Sequence, residues 1–199
     1  MIKSIKKLTN FKFVNMFRAS YKAKDGKNRI WDFASRRNPH LPGQIFSPDA
    51  VCVIPIIVSE DEEDFSVVML KQFRPPIGGY QLEFPAGLVV PGESILSAGT
   101  RELREETGLK LGEVIIETPP LYSSAGLTDE TIVMLFATCE GKLTTKYKEA
   151  NEDIEIMTYS YDELKEMVKD MLDNKLSDMK IGIRDFLTLY IIFSMEGEE

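Results

Sequence analysis

Residues Gly87 to Leu109 read GLVVPGESILSAGTRELREETGL, a glycine-bearing loop that runs into a segment crowded with acid. Ser94 is a suitable N-cap and Gly108 a suitable residue just past a C-terminus, which predicts a helix over Ile95 to Thr107. At about 100° per residue, Glu102, Glu105 and Glu106 share one arc of that helix. Leu96 and Leu103, with Gly99 between them, face elsewhere and can pack on a core. Like charges at i,i+3 and i,i+4 repel, and Glu105 and Glu106 stand in the last turn, where the helix dipole is already negative. Each penalty is a few tenths of a kcal/mol to about 1 kcal/mol, so water can carry them, and Arg101 offsets part of the charge. Two readings follow. One is a solvated acidic face; the other is a hard-cation site, where carboxylate oxygens on one rigid face hold Mg²⁺ or Mn²⁺ against phosphate oxygens.

The rest of the stretch separates them. Gly87, Glu93, Arg101, Glu102, Leu103, Glu105, Glu106, Gly108 and Leu109 all stand where the Nudix box requires them, so the stretch resembles a complete Nudix hydrolase box. The resemblance implies an α/β fold, the Nudix α/β/α sandwich with a mixed sheet, and hydrolysis at a diphosphate. It also implies two to three Mg²⁺ ions, replaceable by Mn²⁺, on the Ala86 carbonyl, Glu102 and Glu106, with Glu105 helping through water. Glu93 and Arg101 then fix the loop against the helix.

The chain has 199 residues, 43% of them hydrophobic, enough for one good core and a small annex. A formal charge of −8 argues against nucleic acid or an anionic membrane as a general partner. Cys52 and Cys139 lie inside apolar runs and read as buried free thiols, with the reducing cytoplasm as the expected compartment. His40 has no second histidine or nearby cysteine beside it, which disfavours zinc or a Ser-His-Asp triad. The N-terminus lacks the unbroken apolar stretch of a signal peptide, and FLTLYIIF is far short of the ~20 residues that span a bilayer.

Upstream of the box, KDGK at Lys24 to Lys27 predicts a hairpin turn between FVNMFRASYKA and RIWDFASR, and RNPHLPGQIFSPD reads as a linker. Residues 1–46 are thus expected to form an N-terminal antiparallel β layer and 47–199 the main domain. An isolated hairpin is marginal in water, so the layer should pack on the main domain or on a second subunit. Strands are predicted at Ala50 to Val58, Phe65 to Phe73, a short segment ending at Pro85, Glu113 to Tyr122, Thr131 to Glu140 and Asp153 to Tyr159. Ser160 and Glu163 form a capping box for a helix with apolar Leu164, Met167, Val168, Met171 and Leu172; a last helix is expected over Met179 to Ser194, before a frayed EGEE.

KQFRPPIGGYQLEFPAG, continuous with the box, resembles the matching segment of ADP-sugar pyrophosphatases, and the N-terminal layer resembles theirs through Phe13, Lys24 to Lys27, Trp31 and Arg36. Taken alone, Phe13 and Trp31 read as hairpin core. The resemblance instead implies that they sandwich adenine, each ring from a different subunit of a swapped homodimer. It implies phosphate or nucleoside contacts from Arg36 and Arg74, whose forked donors suit that work, and substrate contact at Leu88. The resemblance also implies a further metal ligand from a late acidic loop, here KEANEDIE, with Glu152 as the match and Glu149 as a candidate base; plain solvent exposure is the alternative. Ala150 stands where some relatives carry a glutamate, and Ala125 where the ADP-ribose-cleaving branch usually carries proline. The expected reaction is Mg-dependent hydrolysis of ADP-ribose or a related ADP-sugar to AMP and ribose 5-phosphate, by water that the metal activates. The alternatives are another nucleoside diphosphate sugar or dinucleotide, a sensor that binds ADP-ribose without cleaving it, and a purely structural acidic module.

Overall fold

The computed structural model describes residues 1–37, 47–59, 64–150, 152–175 and 179–194. His40, most of the linker, the centre of the SEDEED loop and the terminal EGEE lie outside them. In chain order the elements are β1 (Ile2–Lys7), β2 (Asn15–Lys22), β3 (Asn28–Ser35), β4 (Ala50–Val58), β5 (Phe65–Arg74), β6 (Gly79–Glu83), β7 (Ala86–Leu88), α1 (Ile95–Thr107), β8 (Lys110–Glu117), β9 (Leu121–Tyr122), β10 (Thr131–Glu140), β11 (Ile154–Ser160), α2 (Tyr161–Leu172), β12 (Lys180–Ile181) and α3 (Ile183–Ser194). They divide into two compact units, Met1–Ala50 with Pro120–Val133, and Val51–Pro119 with Met134–Glu199.

In the first unit β1, β2 and β3 form an antiparallel sheet. The predicted hairpin is there, with Phe17 opposite Phe33 and Ala19 opposite Trp31. Its turn is closed by the Lys27 N–H donating to Asp25 Oδ1 at 3.0 Å. Fully buried Phe17 stacks on Phe33 at 5.7 Å between ring centroids, which gives the layer a core of its own. β1 was not foreseen, because IKSIKK is half lysine and shows no sustained alternation; it forms by pairing along the open edge of β2. Ser35, which ends β3, and Arg37 just past it tie this strand to the rest of the unit. Ser35 Oγ donates to Asp129 Oδ2 at 3.1 Å, and Arg37 makes a bidentate pair with Asp49, which also accepts from the N–H and the hydroxyl of Thr131.

The second unit is built on a mixed sheet in the order β12-β6-β5-β4-β10-β8. β11 takes one edge of β5, while β4 and β6 share the other, and β12 runs parallel to β6. Val51 and Val53 on one face of β4 lie against Gly99 of α1. A Cβ on Gly99 would come within 2.7 Å of Leu135 Cδ1, so the helix lies flush on the sheet. Cys52 points to the opposite face, where it senses the charges of Arg184 and Asp185 in α3. Strand alternation thus places α1 and α3 on opposite faces, the α/β/α sandwich expected of the sequence.

Both cysteines are buried and free, and burial pushes the Cys52 thiol up to about 12 and the Cys139 thiol up to about 11. Several boundaries shift by one to three residues, and two elements differ more. Glu113 to Tyr122 is not one strand, because Pro119 and Pro120 interrupt the ladder between β8 and β9. The last helix begins at Ile183 rather than Met179, since Lys180–Ile181 pair with Gln81 and Leu82 before Gly182 turns the chain. Among the described residues no helix is long and apolar enough to cross a membrane.

Candidate active site

Helix α1 spans Ile95 to Thr107, as its caps predict. Ser94 Oγ accepts from the Ser97 N–H at 3.1 Å, and Gly108, at φ 78°, turns its N–H back to the Arg104 carbonyl. Leu103 is fully buried with Leu109, Val53 and Val68, which fixes the rotation of the helix about its axis. That rotation turns Glu102 and Glu106 toward the β6–β7 turn.

Glu106 is 3% exposed, and its Oε2 accepts from the Ala86 N–H at 3.0 Å. Burial raises its proton affinity well above that of an ordinary glutamate, and the charges of Glu102 and Glu152 raise it further. Glu102 is shifted in the same direction, first by burial and then by Glu105 and Glu152, with Arg101 opposing. Glu102 also occupies the space beside Gly87: a Cβ there would stand 1.9 Å from Glu102 Oε1.

Arg101 uses its guanidinium fully. Nε and Nη2 hold the two oxygens of Glu93 at 3.0 Å each, Nη2 also donates to the Leu88 carbonyl at 3.0 Å, and Nη1 reaches Glu102 at 2.7 Å and Glu105 at 3.3 Å. One planar fork therefore pins the 88–93 loop to the helix and aims two of the three ridge carboxylates. Glu93 in turn accepts from the Val90 N–H at 3.2 Å. Leu88 takes part through its backbone carbonyl, while its side chain is exposed.

Among the described residues no three acidic, histidine or cysteine side chains are already gathered closely enough to chelate an ion. Arg101 draws Glu102 and Glu105 toward itself, and the carboxylates repel one another. The donor set nonetheless fits a hard divalent cation: it is all oxygen, anionic, partly desolvated, and close enough for each charge to oppose the next. One oxygen of Glu106 is taken by a peptide N–H, which leaves the other for a ligand.

Glu152 is brought to this ridge, since its charge acts on both Glu102 and Glu106. Its Oε2 accepts from the Glu149 N–H at 2.9 Å, and Lys148 Nζ holds its carbonyl at 2.9 Å. Glu149 thus enters as a backbone donor that orients Glu152. Arg74 is paired with Glu83, Nη2 lying 2.6 Å from Oε1 and Nε donating to Oε2 at 3.1 Å. Glu83 was not singled out from sequence. It is 3% exposed two residues before Pro85, with its proton affinity raised by burial. A charge between Leu82 and Phe84 in an otherwise apolar run was the available signal. Asp185 was missed as well; it is 1% exposed and accepts from the Phe84 N–H at 3.3 Å, which steadies the strand leading to Ala86.

In the first unit, Arg36 pairs with Glu130 at 2.8 Å. Trp31 is half-exposed and donates its indole N–H to the Gly126 carbonyl at 3.2 Å. It lines a cavity of about 390 Å³ with Tyr21, Phe33, Tyr122 and Thr128. Phe13 is 67% exposed, with Lys12 Nζ 4.9 Å from its ring centroid, and is not among the walls of that cavity.

The raised carboxylates make a pH prediction whose sign can be worked out. The metal-free native state binds Glu102 and Glu106 protons more tightly than the unfolded chain, so their contribution to stability is lost as pH climbs above about 4.3, the unfolded glutamate value. A divalent cation requires the ionised forms and so gains with pH. The difference in Tm between Mg²⁺ and EDTA should therefore be larger at pH 8 than at pH 5.5. A difference that is constant or shrinks would place cation binding elsewhere.

The NUDIX domain model matches residues 47–179. The chain is 32% identical over 156 residues to an ADP-ribose pyrophosphatase of Saccharomyces cerevisiae, covering 76% of this chain and 65% of that one. It is 36% identical over 144 residues to an ADP-sugar pyrophosphatase of Mus musculus, covering 71% and 62%. The chain thus spans a little under two thirds of the length of these relatives. A crystal structure of an ADP compounds hydrolase superposes with a TM-score of 0.69 over 96% of this chain and 91% of that one, at 15% identity, a likeness of fold. The domain match takes in the box loop, the acid-bearing helix and Glu152 together, on the sandwich that positions them, and the chain belongs to the Nudix family.

Proposed function

We propose that the chain hydrolyses the diphosphate bond of ADP-ribose, or of a related ADP-sugar, to AMP and a sugar phosphate. The observation that carries this reading is that Glu102 and Glu106, partly desolvated on one helix face, both have their proton affinity raised by burial and by the nearby charge of Glu152. Glu102, Glu106 and the Ala86 carbonyl would hold Mg²⁺, with Glu105 and Glu152 completing a site for two to three ions. Bound there, Mg²⁺ supplies charge for the diphosphate oxygens and lowers the pKa of a water. The protein's own part is positional. Arg101 and Glu93 lock the box loop, the Ala86 N–H sets the rotamer of Glu106, and the Glu149 N–H turns Glu152 toward the ridge. Glu149 remains the candidate base.

The N-terminal layer, residues 1–46, is proposed to bind adenine and to join two copies, with Phe13 of one copy and Trp31 of the other closing on the base and Arg36 and Arg74 reaching the nucleoside phosphates. Exposure of both rings supports this, as does charge. The layer carries eleven of the chain's 24 Lys and Arg but two of its 32 Asp and Glu, which complements the acidic remainder of a second copy. The buried free thiols agree with a cytoplasmic setting.

Assaying ADP-ribose, ADP-glucose and GDP-mannose with Mg²⁺, with products resolved by chromatography, tests the reading. AMP and ribose 5-phosphate from ADP-ribose are expected; turnover confined to the guanosine substrate would overturn it. Phe13→Ala and Trp31→Ala should raise KM for adenine substrates about tenfold with kcat nearly kept, since base stacking is worth about 1–3 kcal/mol. Unchanged KM in both variants would remove the adenine role.

A further inference from the structure

Beside the ridge, α1 borders a second cavity, of about 700 Å³, whose walls include Ser97, Thr100, Arg101, Arg104, Glu105 and Tyr147. Arg104 plays no part in the hydrogen-bond network around Arg101. Its guanidinium lies 5.1 Å from the centroid of the Tyr147 ring, and Lys146 Nζ lies 5.8 Å from the same ring. Among the described residues neither cation has a carboxylate partner, in a chain with eight more acids than bases. The one acid in the wall, Glu105, is already engaged by Arg101 Nη1 at 3.3 Å. Tyr147 thus acts as a platform that holds a forked guanidinium and an ammonium at the mouth of a hydroxyl-bearing hollow, and among the described residues the guanidinium donates no hydrogen bond. That arrangement matches a phosphomonoester: a dianion that accepts bidentate Arg bonds and the hydroxyl hydrogen of Ser97, while Thr100 Oγ1 donates to the Leu96 carbonyl at 2.8 Å.

We propose that this cavity is a phosphomonoester-binding subsite. If the diphosphate reading above is right, the sugar phosphate released at the ridge is the natural occupant. Binding itself does not depend on that reading.

Isothermal titration of inorganic phosphate and of ribose 5-phosphate into the full chain in EDTA tests it, because chelation removes any metal-borne phosphate site. Arg104→Gln should weaken binding of both ligands about tenfold, and Tyr147→Leu by a smaller factor, while Arg104→Lys recovers part of the loss. Arg104 is exposed, and Gln and Lys are good helix formers, so the fold should persist, checked by an unchanged Tm. Tighter binding of ribose 5-phosphate than of phosphate would identify a sugar phosphate as occupant, and equal binding would identify free phosphate. Equal affinity of wild type and Arg104→Gln, or phosphate binding that appears only with Mg²⁺, would overturn the proposal. Neither result touches the hydrolysis reading, which the nucleotide-sugar assay scores separately.

Discussion

Glu106→Gln should leave a protein that folds at least as well as the wild type and is nearly inactive. The two effects have one origin. Glu106 is buried with its neighbours' negative charge acting on it, so its ionised form is unfavourable in the metal-free fold. Glutamine has nearly the same shape and can still accept the Ala86 N–H through its carbonyl oxygen. It removes the buried charge without opening a cavity or orphaning the peptide donor. Melting in EDTA at neutral pH should therefore give a Tm that rises rather than falls, and the loss of stability with rising pH should flatten. Activity moves the other way. A neutral amide is a poor ligand for a hard cation, and metal stabilisation of developing charge is worth several kcal/mol. At about 1.4 kcal/mol per decade, kcat should fall about a thousandfold. Turnover within tenfold of wild type at saturating Mg²⁺, or a Tm several degrees below wild type, would mean that Glu106 is a structural acid.

How much of this was legible beforehand depended on whether the information was local. The helix Ile95–Thr107 was readable to the residue, since its caps are side-chain and glycine chemistry at fixed offsets. Strand β4 was readable because a β-branched run buried on both faces leaves few alternatives. β1 was not, because nothing in IKSIKK marks it apart from the partner edge it pairs with. The same distinction runs through the site. Glu102, Glu105 and Glu106 share a face that spacing alone reveals, and Glu93 and Arg101 stand in the same short stretch at positions the box resemblance marks. Glu83 and Asp185 are buried acids whose roles depend on distant partners, Arg74 nine residues away and the Phe84 N–H 101 residues away, beside the local pairs with Gln81 and Arg184. Sequence offers only an acid embedded in an apolar run, a pattern that many exposed residues share. The five-bond role of Arg101 was likewise invisible, because spacing shows that it can reach Glu105 but not that it closes on Leu88 and both oxygens of Glu93.

The second large effect is expected at Gly87. An added Cβ would lie 1.9 Å from Glu102 Oε1, 2.0 Å from Cδ and 2.3 Å from Oε2, whereas ordinary contact begins near 3.4 Å. The carboxylate must retreat by about 1.5 Å, and the Arg101 fork that holds it must give way with it. A side-chain terminus can swing at small cost, so Gly87→Ala should change stability by no more than about 1 kcal/mol. Displacing a reacting or ligating group by about 1 Å can cost about 10²-fold in rate, and a similar loss in kcat is expected here. Gly108 provides the control. It sits at φ 78°, and its Cβ would meet Thr144 Cγ2 at 2.4 Å and the Lys142 carbonyl at 3.0 Å, none of which belongs to the ridge. Gly108→Ala should therefore lower Tm clearly while the folded enzyme keeps its kcat. If Gly87→Ala instead lost stability and kept its rate, the glycine would be needed by the turn and not by the carboxylate beside it, and Glu102 would lose its place at the centre of the site.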